Sequence, residues 1–410
     1  MQTSSRPRVA LLIESSRAYG RRVLFGIARY VRQHPWTISL QERSLGDTSP
    51  AWLKSWKGDG IIVRIETRQI ANGIRKLNLP TVDVRYLFQN LNLPSVRPDD
   101  AAAARLAFEH LRERGFQHFA FCGFNGADYS DARRDSFVQC VEQVGLRCDV
   151  YHDRAHFQKA STQRFEERGL KDGDNVARWL EKISKPVGIM ACNDIRGQQV
   201  LNACRTTNIS VPGEAAVIGV DNDEMLCELS DPPLSSVSLD TERIGYKAAE
   251  LLDQLMAGKK PTEPLVLVQP AGVVTRGSSD AMAIDDRHVT TAIQFIRRQA
   301  CEGIDVSDVL KSVPLSRSTL ERRFIRALGH SPKEEILRVR LARARQLLAE
   351  TDCSLAEVAD KVGFEHPEYL NVIFKKKVGL TPGDFRAQRH LNLRHAVSLT
   401  DGAAQTTLRE

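Results

Sequence analysis

Four clusters of polar side chains each follow a short apolar run. They are Glu14-Ser15-Ser16 with Arg17, Tyr19 and Arg21, then Asp83 with Arg85, then Asn193-Asp194, then Asp221-Asn222-Asp223. Carboxylates, carboxamides and guanidiniums beside a few aromatic rings suit a neutral polyhydroxyl ligand, because each can share two hydrogen bonds with neighbouring hydroxyls. A site that bonds every hydroxyl also rejects an analogue lacking one, since its own buried polar groups go unpaired. The same residue types cap helices, a reading that fits Asn193, Asp194 and Asp221 especially well. Residue type alone leaves both readings open.

A second kind of chemistry is written twice in the last third of the chain. Val306, Val309, Val313, Leu320, Phe324, Gly329 and Pro332 return as Leu355, Val358, Val362, Leu370, Phe374, Gly379 and Pro382, at a shift of 49 that becomes 50 after the middle turn. This is an internal repeat, and its apolar residues fall three and four apart. Each copy is expected to fold as two short amphipathic helices around a tight turn, at Pro314-Leu315-Ser316 and at Gly363-Phe364-Glu365-His366. Ser354 with Glu357 signals a capping box, and Pro367 suits a first helical turn. Such a pair is either an ordinary helical hairpin or a helix-turn-helix, whose second helix enters the DNA major groove.

Charge and spacing favour DNA. Residues 287–410 carry 21 Lys and Arg against 15 Asp and Glu, whereas residues 1–286 carry 37 against 36. Between the copies, residues 332–350 place Leu337, Leu341, Ala344 and Leu348 on one face and Arg338, Arg340, Arg343 and Arg345 around the others. A helix of that span is about 28 Å long, against roughly 34 Å between successive major grooves on one face of a duplex. One chain can therefore hold two recognition helices in neighbouring grooves.

These groups need elements to position them. Strands expected at residues 9–13, 38–41, 60–65, 81–84, 118–123, 187–192, 215–220 and 265–268 alternate with helices, among them 21–33, 100–114, 131–144, 174–183, 195–207 and 241–256. Alternation of this kind means parallel sheets covered by helices on both faces. The length suits two doubly wound lobes, with a ligand in the cleft beyond the carboxyl ends of the strands. The expected order is a two-lobed α/β domain over residues 1–276, a polar linker over 277–286, an all-α double helix-turn-helix domain over 287–390 and a disordered tail over 391–410. No leader peptide and no membrane span are expected, the first apolar run being only five residues. Eight scattered Cys without zinc spacing read as reduced thiols in the cytoplasm.

Enzyme readings find little support. The chain has no Gly-x-x-x-x-Gly-Lys loop, no Gly-x-Ser-x-Gly elbow and no His-Glu-x-x-His. Asp221-Asn222-Asp223 resembles part of a calcium loop, without the glycine and closing Glu that such a loop requires. No cofactor, metal or catalytic residue is expected.

Longer motifs carry a family resemblance. Ser316-Arg-Ser-Thr-Leu-Glu-Arg-Arg-Phe324, Glu357-Val-Ala-Asp-Lys-Val-Gly-Phe364 and Thr381-Pro-x-x-Phe385-Arg386 resemble the AraC-type DNA-binding domain. The resemblance implies base reading from Arg317, Ser318, Glu321 and Arg322 in the first copy, and from Pro367, Glu368, Asn371 and Val372 in the second. Val372 stands where that family often has Arg, and His366 where it often has a Ser cap. Arg322 suits a bidentate contact to guanine, Glu321 accepts from cytosine N4, and Asn371 pairs with adenine. Lys375, Lys376 and Lys377 suit phosphate, which fixes register without carrying sequence information.

Upstream, Asp99-Asp100, Arg133, Asn193-Asp194, Val217-Ile-Gly-Val-Asp-Asn222 and Asp231-Pro-Pro-Leu-Ser-Ser-Val237 resemble the periplasmic-binding-protein-like sugar core of LacI-type repressors. That implies effector contacts from Arg133, Asn193 and Asp221. The two halves together, with Ala18-Tyr19-x-Arg21 and Ala300-Cys-x-Gly-Ile304, resemble the xylose-responsive transcription activators. The implied effector is D-xylose, or another monosaccharide, with Glu14, Tyr19 and Arg21 as further contacts. Glu14 departs from the pattern, where a neutral amide is expected. Implied partners are an operator in double-stranded DNA, RNA polymerase and a second copy of the chain.

Overall fold

The computed structural model describes residues 6–47, 49–152, 161–261, 263–280 and 286–386, and it divides into two compact units, Met1–Ala283 and Ile284–Glu410. In the first unit the strands are β1 (Arg8–Leu12), β2 (Thr37–Leu40), β3 (Gly60–Val63), β4 (Thr81–Asp83), β5 (Ser95–Pro98), β6 (His118–Cys122), β7 (Cys148–Val150), β8 (Val187–Ala191), β9 (Ala215–Val220), β10 (Ser235–Ser238), β11 (Leu265–Val268) and β12 (Gly272–Val274). One sheet runs β11-β5-β4-β3-β1-β2, all parallel. The other runs β12-β10-β9-β8-β6-β7, parallel except where β12 meets β10. The chain passes between the sheets three times, after β5, β10 and β11. Two α/β lobes result, as the alternation of elements implied.

Helices cover both sheets: α1 (Ala18–Gln33), α2 (Arg68–Leu77), α3 (Asp100–Arg112), α4 (Asp128–Glu142), α5 (Thr162–Leu170), α6 (Gly173–Lys182), α7 (Asp194–Thr206), α8 (Glu224–Glu228) and α9 (Thr241–Met256). The central strands are buried on both faces, so β8 reads Val-Gly-Ile-Met-Ala with no polar residue. Helices α1 and α9 cross in close contact. A side chain on Gly26 would meet the Glu242 carbonyl, and one on Gly245 the Val23 carbonyl, each at 1.9 Å. That crossing sets where α1 begins, and with it Arg17 and Tyr19.

Strands β5, β7, β10 and β12 and helices α2, α5 and α8 are additions to the elements named from the sequence. Strand β10 is Ser-Ser-Val-Ser, polar yet buried at Ser235 and Ser236. Its serines are satisfied internally: Ser235 Oγ donates to the Arg276 carbonyl at 2.9 Å and Ser236 Oγ to Asp194 at 2.5 Å. The expected linker also needs correction. Ser278 and Ser279 are fully buried in the second lobe, where Ser278 Oγ donates to the Val217 carbonyl at 2.6 Å and Ser279 Oγ lies 2.7 Å from His110 Nε2. Arg114 Nε also donates to the Ser279 carbonyl. Residues 277–279 are thus part of the first unit, and the tail over 391–410 lies outside the described residues.

The second unit is helical: α10 (Arg287–Gln299), α11 (Val306–Lys311), α12 (Arg317–Leu328), α13 (Pro332–Glu350), α14 (Leu355–Lys361) and α15 (Pro367–Val378). Capping boxes start α11, α13 and α14, the last from Ser354 and Glu357. Ser316 caps α12, whereas His366 gives α15 no side-chain cap. Leu341, Ala344 and Leu348 of α13 join Val358, Leu370 and Phe374 in one core. The α13 arginines are less free than a basic spacer suggests. Arg338 pairs with buried Glu335 at 2.8 Å, and Arg340 donates to the Ala300 and Ile304 carbonyls at 2.7 Å with its guanidinium over Phe364. One side chain therefore ties the segment before α11 to the turn before α15.

Candidate functional site

A cavity of about 100 Å³ opens between the lobes of the first unit. Lobe one supplies Arg17 and Tyr19 from the start of α1, Arg64 from the end of β3 and Arg85 from the end of β4. Lobe two supplies Tyr129 and Arg133 from α4, Thr162 and Glu166 from α5, Asn193 and Asp194 after β8, and Asp221 after β9. Most of these lie just beyond the carboxyl ends of parallel strands, where open α/β sheets place ligands. The volume is of the order of the ~150 Å³ cavity that accepts a single six-carbon ring.

An ion network orients the wall. Arg64 donates through Nη1 to Glu14 at 2.7 Å and through Nε to Glu66 at 2.8 Å, with its guanidinium 4.6 Å from the centre of the Tyr19 ring. Arg85 grips Asp128 with both Nη atoms, at 2.7 and 2.6 Å, and reaches Glu66 at 3.3 Å. Burial would raise the Glu66 carboxyl, but the two guanidiniums outweigh it and hold it at about 2. Arg133 donates to Asp100 at 2.8 Å and to the Cys192 carbonyl at 2.6 Å, and approaches Asp221 at 3.8 Å. It also sits over the Tyr129 ring. Buried charges held this way cannot turn aside, so their free edges present fixed donors and acceptors.

Not every expected contact is in the wall. Arg21 is exposed and donates to the Ser15 carbonyl at 3.0 Å, so it is withdrawn as a cavity residue. Glu14 is buried behind Arg64 rather than in the wall, and its Oε2 has no hydrogen-bond partner among the described residues. Gly20 leaves it room, since a side chain there would meet the Glu14 carboxyl carbon at 2.6 Å. Burial raises the Glu14 carboxyl, against the pull of Arg64. Glu14 is therefore a support for Arg64.

The cap reading holds for Asn193, whose Oδ1 accepts from Arg196 N at 2.9 Å while Nδ2 reaches Glu166 at 3.4 Å. Asp194 accepts from Ser236 Oγ and from Asp223 N, so it fixes the β9 loop as well as lining the cavity. Among the described residues it is Asp223, not Asp221, whose side chain caps α8. Asp221 sits at φ 110° on the cavity wall with its side chain about one-third exposed. Burial raises both Asp194 and Asp221, and the Asp221 charge raises Asp194 further. Arg64, Tyr129, Thr162 and Glu166 were not singled out from the sequence. Arg64 falls inside the strand expected over residues 60–65 and emerges as a strand-end residue because β3 stops at Val63.

Polar ties cross between the lobes. Arg17 reaches Glu166 at 2.6 Å, Arg85 holds Asp128, Arg22 reaches Glu224 at 2.7 Å, and Thr162 donates to Glu66 through its N and its Oγ1. Helix α5 supplies two of these four.

In the second unit, α12 buries Leu320, Phe324 and Leu328 and exposes Arg317, Ser318 and Arg322. Glu321 is partly exposed and accepts from Arg317 at 3.1 Å, which occupies part of its capacity. Helix α15 buries Leu370 and Phe374 and exposes Glu368, Asn371, Val372, Lys375, Lys376 and Lys377. Pro367 at its first position is only partly exposed. Each second helix thus turns its candidate residues outward.

Comparison with known proteins bears on both units. Residues 8–97 match the XylR N-terminal domain, residues 108–279 a periplasmic binding protein-like domain, and residues 310–388 a helix-turn-helix domain. Xylose operon regulatory proteins of Haemophilus influenzae and Escherichia coli K12 are 31% and 32% identical, over 92% and 93% of this chain and 98% and 97% of theirs. The chain belongs to this family of xylose operon regulators. A solved structure of a xylose-binding transcription activator, 31% identical, aligns at a TM-score of 0.57 over 94% of this chain and 99% of that one. Family membership makes the protein a transcription regulator and not an enzyme, with two α/β lobes ahead of a helical DNA-binding region. Among the described residues no helix is long and apolar enough to cross a membrane.

Proposed function

We propose that D-xylose binds in the cleft between the lobes and governs how the helical unit engages an operator in double-stranded DNA, activating genes of pentose use. The observation that carries this reading is a small cavity whose wall presents guanidiniums from both lobes and carboxylates from lobe two, with Arg64 and Arg133 braced by Glu14 and Asp100. Asp221, Arg133 and Asn193 bond ring hydroxyls from lobe two, and Arg64 and Arg85 do so from lobe one. Tyr19 and Tyr129 line the same wall and hold the guanidiniums stacked on them. A ligand bonded to both lobes favours their closed arrangement, and DNA that prefers the same arrangement tightens sugar binding by the same factor. In this reading the protein works in the cytoplasm as a homodimer that contacts RNA polymerase.

A melting-temperature screen of the purified chain against pentoses and hexoses tests the proposal. D-xylose at about 100 times its Kd should add about 2.7 kcal/mol of stability, and Asp221→Asn should remove most of that gain. A gain from a hexose and none from D-xylose would reassign the sugar. No gain from any monosaccharide would contradict the reading.

A further inference from the structure

One position separates the two reading helices. On α15, Leu370 and Phe374 mark the buried side, and at about 100° per residue Val372 falls at the centre of the opposite face, where it is 63% exposed. Arg322 holds that centre on α12; both are the sixth residue of a 12-residue helix. Tyr369, 54% exposed, lies beside Val372 one turn earlier, and Lys375, Lys376 and Lys377 follow one turn later. An isolated exposed Val needs no explanation on a protein surface. Here it occupies the place from which the sister helix presents a guanidinium, with a run of three exposed lysines beside it.

The two side chains read different features. A guanidinium makes paired hydrogen bonds to guanine O6 and N7, whereas an isopropyl group has neither donor nor acceptor. The apolar feature that base pairs offer in the major groove is the C5 methyl of thymine. Asn371, on the shoulder of α15, has the amide that pairs with adenine N6 and N7, and adenine is the base opposite thymine. We infer that α15 reads A·T pairs, with Val372 seated on thymine methyl groups and Asn371 on adenine, while α12 reads G·C pairs through Arg322. The operator is then asymmetric, a G·C-bearing half-site and a T-rich half-site about one turn apart, roughly 10 base pairs. This rests on the reading of α12 and α15 as the groove-facing helices.

The test uses the full-length chain to select duplexes from a randomised pool, at one fixed salt concentration because affinity depends steeply on salt. Each thymine of the enriched T-rich half-site is then replaced by deoxyuridine, which lacks only the methyl group. At least one replacement should weaken binding about fourfold, the value of one buried methyl-sized group. Val372→Ala should bind the thymine duplex that much more weakly and level the thymine and deoxyuridine duplexes. Val372→Arg should shift the selected base at that position to guanine. Unchanged melting temperatures for both variants confirm that these effects act on the DNA contact. A deoxyuridine penalty that persists in Val372→Ala, or a second half-site without thymine, overturns the inference and leaves DNA binding intact. Enrichment of no duplex by the unaltered chain refutes the groove-facing reading itself, and the inference falls with it.

Discussion

Glu66 and Glu166 belong to one ion network yet are driven in opposite directions. Burial acts on both, but Glu66 has two guanidiniums and sits at about 2, whereas Glu166, with Arg17 as its ion partner and the Asp221 charge against it, is pushed up to about 7. In the sugar-free protein Glu166 therefore holds its proton over a range where the unfolded chain has lost it. Stability should fall as pH rises from about 4.5 to about 7 and be level in this respect above that. Hydroxyls that donate to Glu166 favour its charged form, so sugar binding near pH 7 should release protons. Calorimetry in buffers of different ionisation heat measures the release, and Glu166→Gln should reduce it to the share left by Asp194 and Asp221. At this scale the sequence was partly readable. Asn193, Asp194 and Asp221 follow strands that spell themselves out in apolar runs, and all three line the cavity. Glu166 follows no strand, and Arg21 falls one turn too far along α1, a difference of direction that spacing from a strand end does not reveal.

Elements divide along the same line. Helices with an apolar face three and four apart, such as α9 and α13, were readable almost to the residue. Strands β5 and β10 were not, because Ser95, Ser235 and Ser236 are buried by hydrogen bonds to distant partners and carry no hydrophobic signal. Helix α5 was missed as well, and it supplies both the Thr162 and the Glu166 ties across the cleft. The repeat shows one asymmetry that is local and therefore testable. Helices α12 and α14 have side-chain caps, while α15 begins at His366 with none. His366→Ser should stabilise the chain by about 1 kcal/mol, read as a higher denaturation midpoint for the helical unit. An unchanged midpoint would mean that Pro367 and Phe364 already hold the start of α15.

At the scale of the whole molecule, the route from sensor to reader leaves from lobe two. Ser278 and Ser279 are held by Val217, His110 and Arg114, so they belong to lobe two and not to a linker. Helix α3 also begins in the cavity, where Asp100 holds Arg133, and ends at the His110 contact to Ser279. Helix α3 thus links a cavity residue to the last described stretch of the first unit. Sequence patterning exposed the two-part plan through the charge surplus after residue 287 and the repeat, but not this anchorage, because a Gly-Ser-Ser segment looks like a linker whether or not its hydroxyls are buried. The most direct measurement is a fluorescence-anisotropy titration of a labelled operator duplex with the full-length chain, with and without saturating D-xylose. The account predicts a change in operator Kd of at least about fivefold, matched by an equal change in D-xylose affinity when operator is present. Equal operator affinity in the two titrations would contradict it.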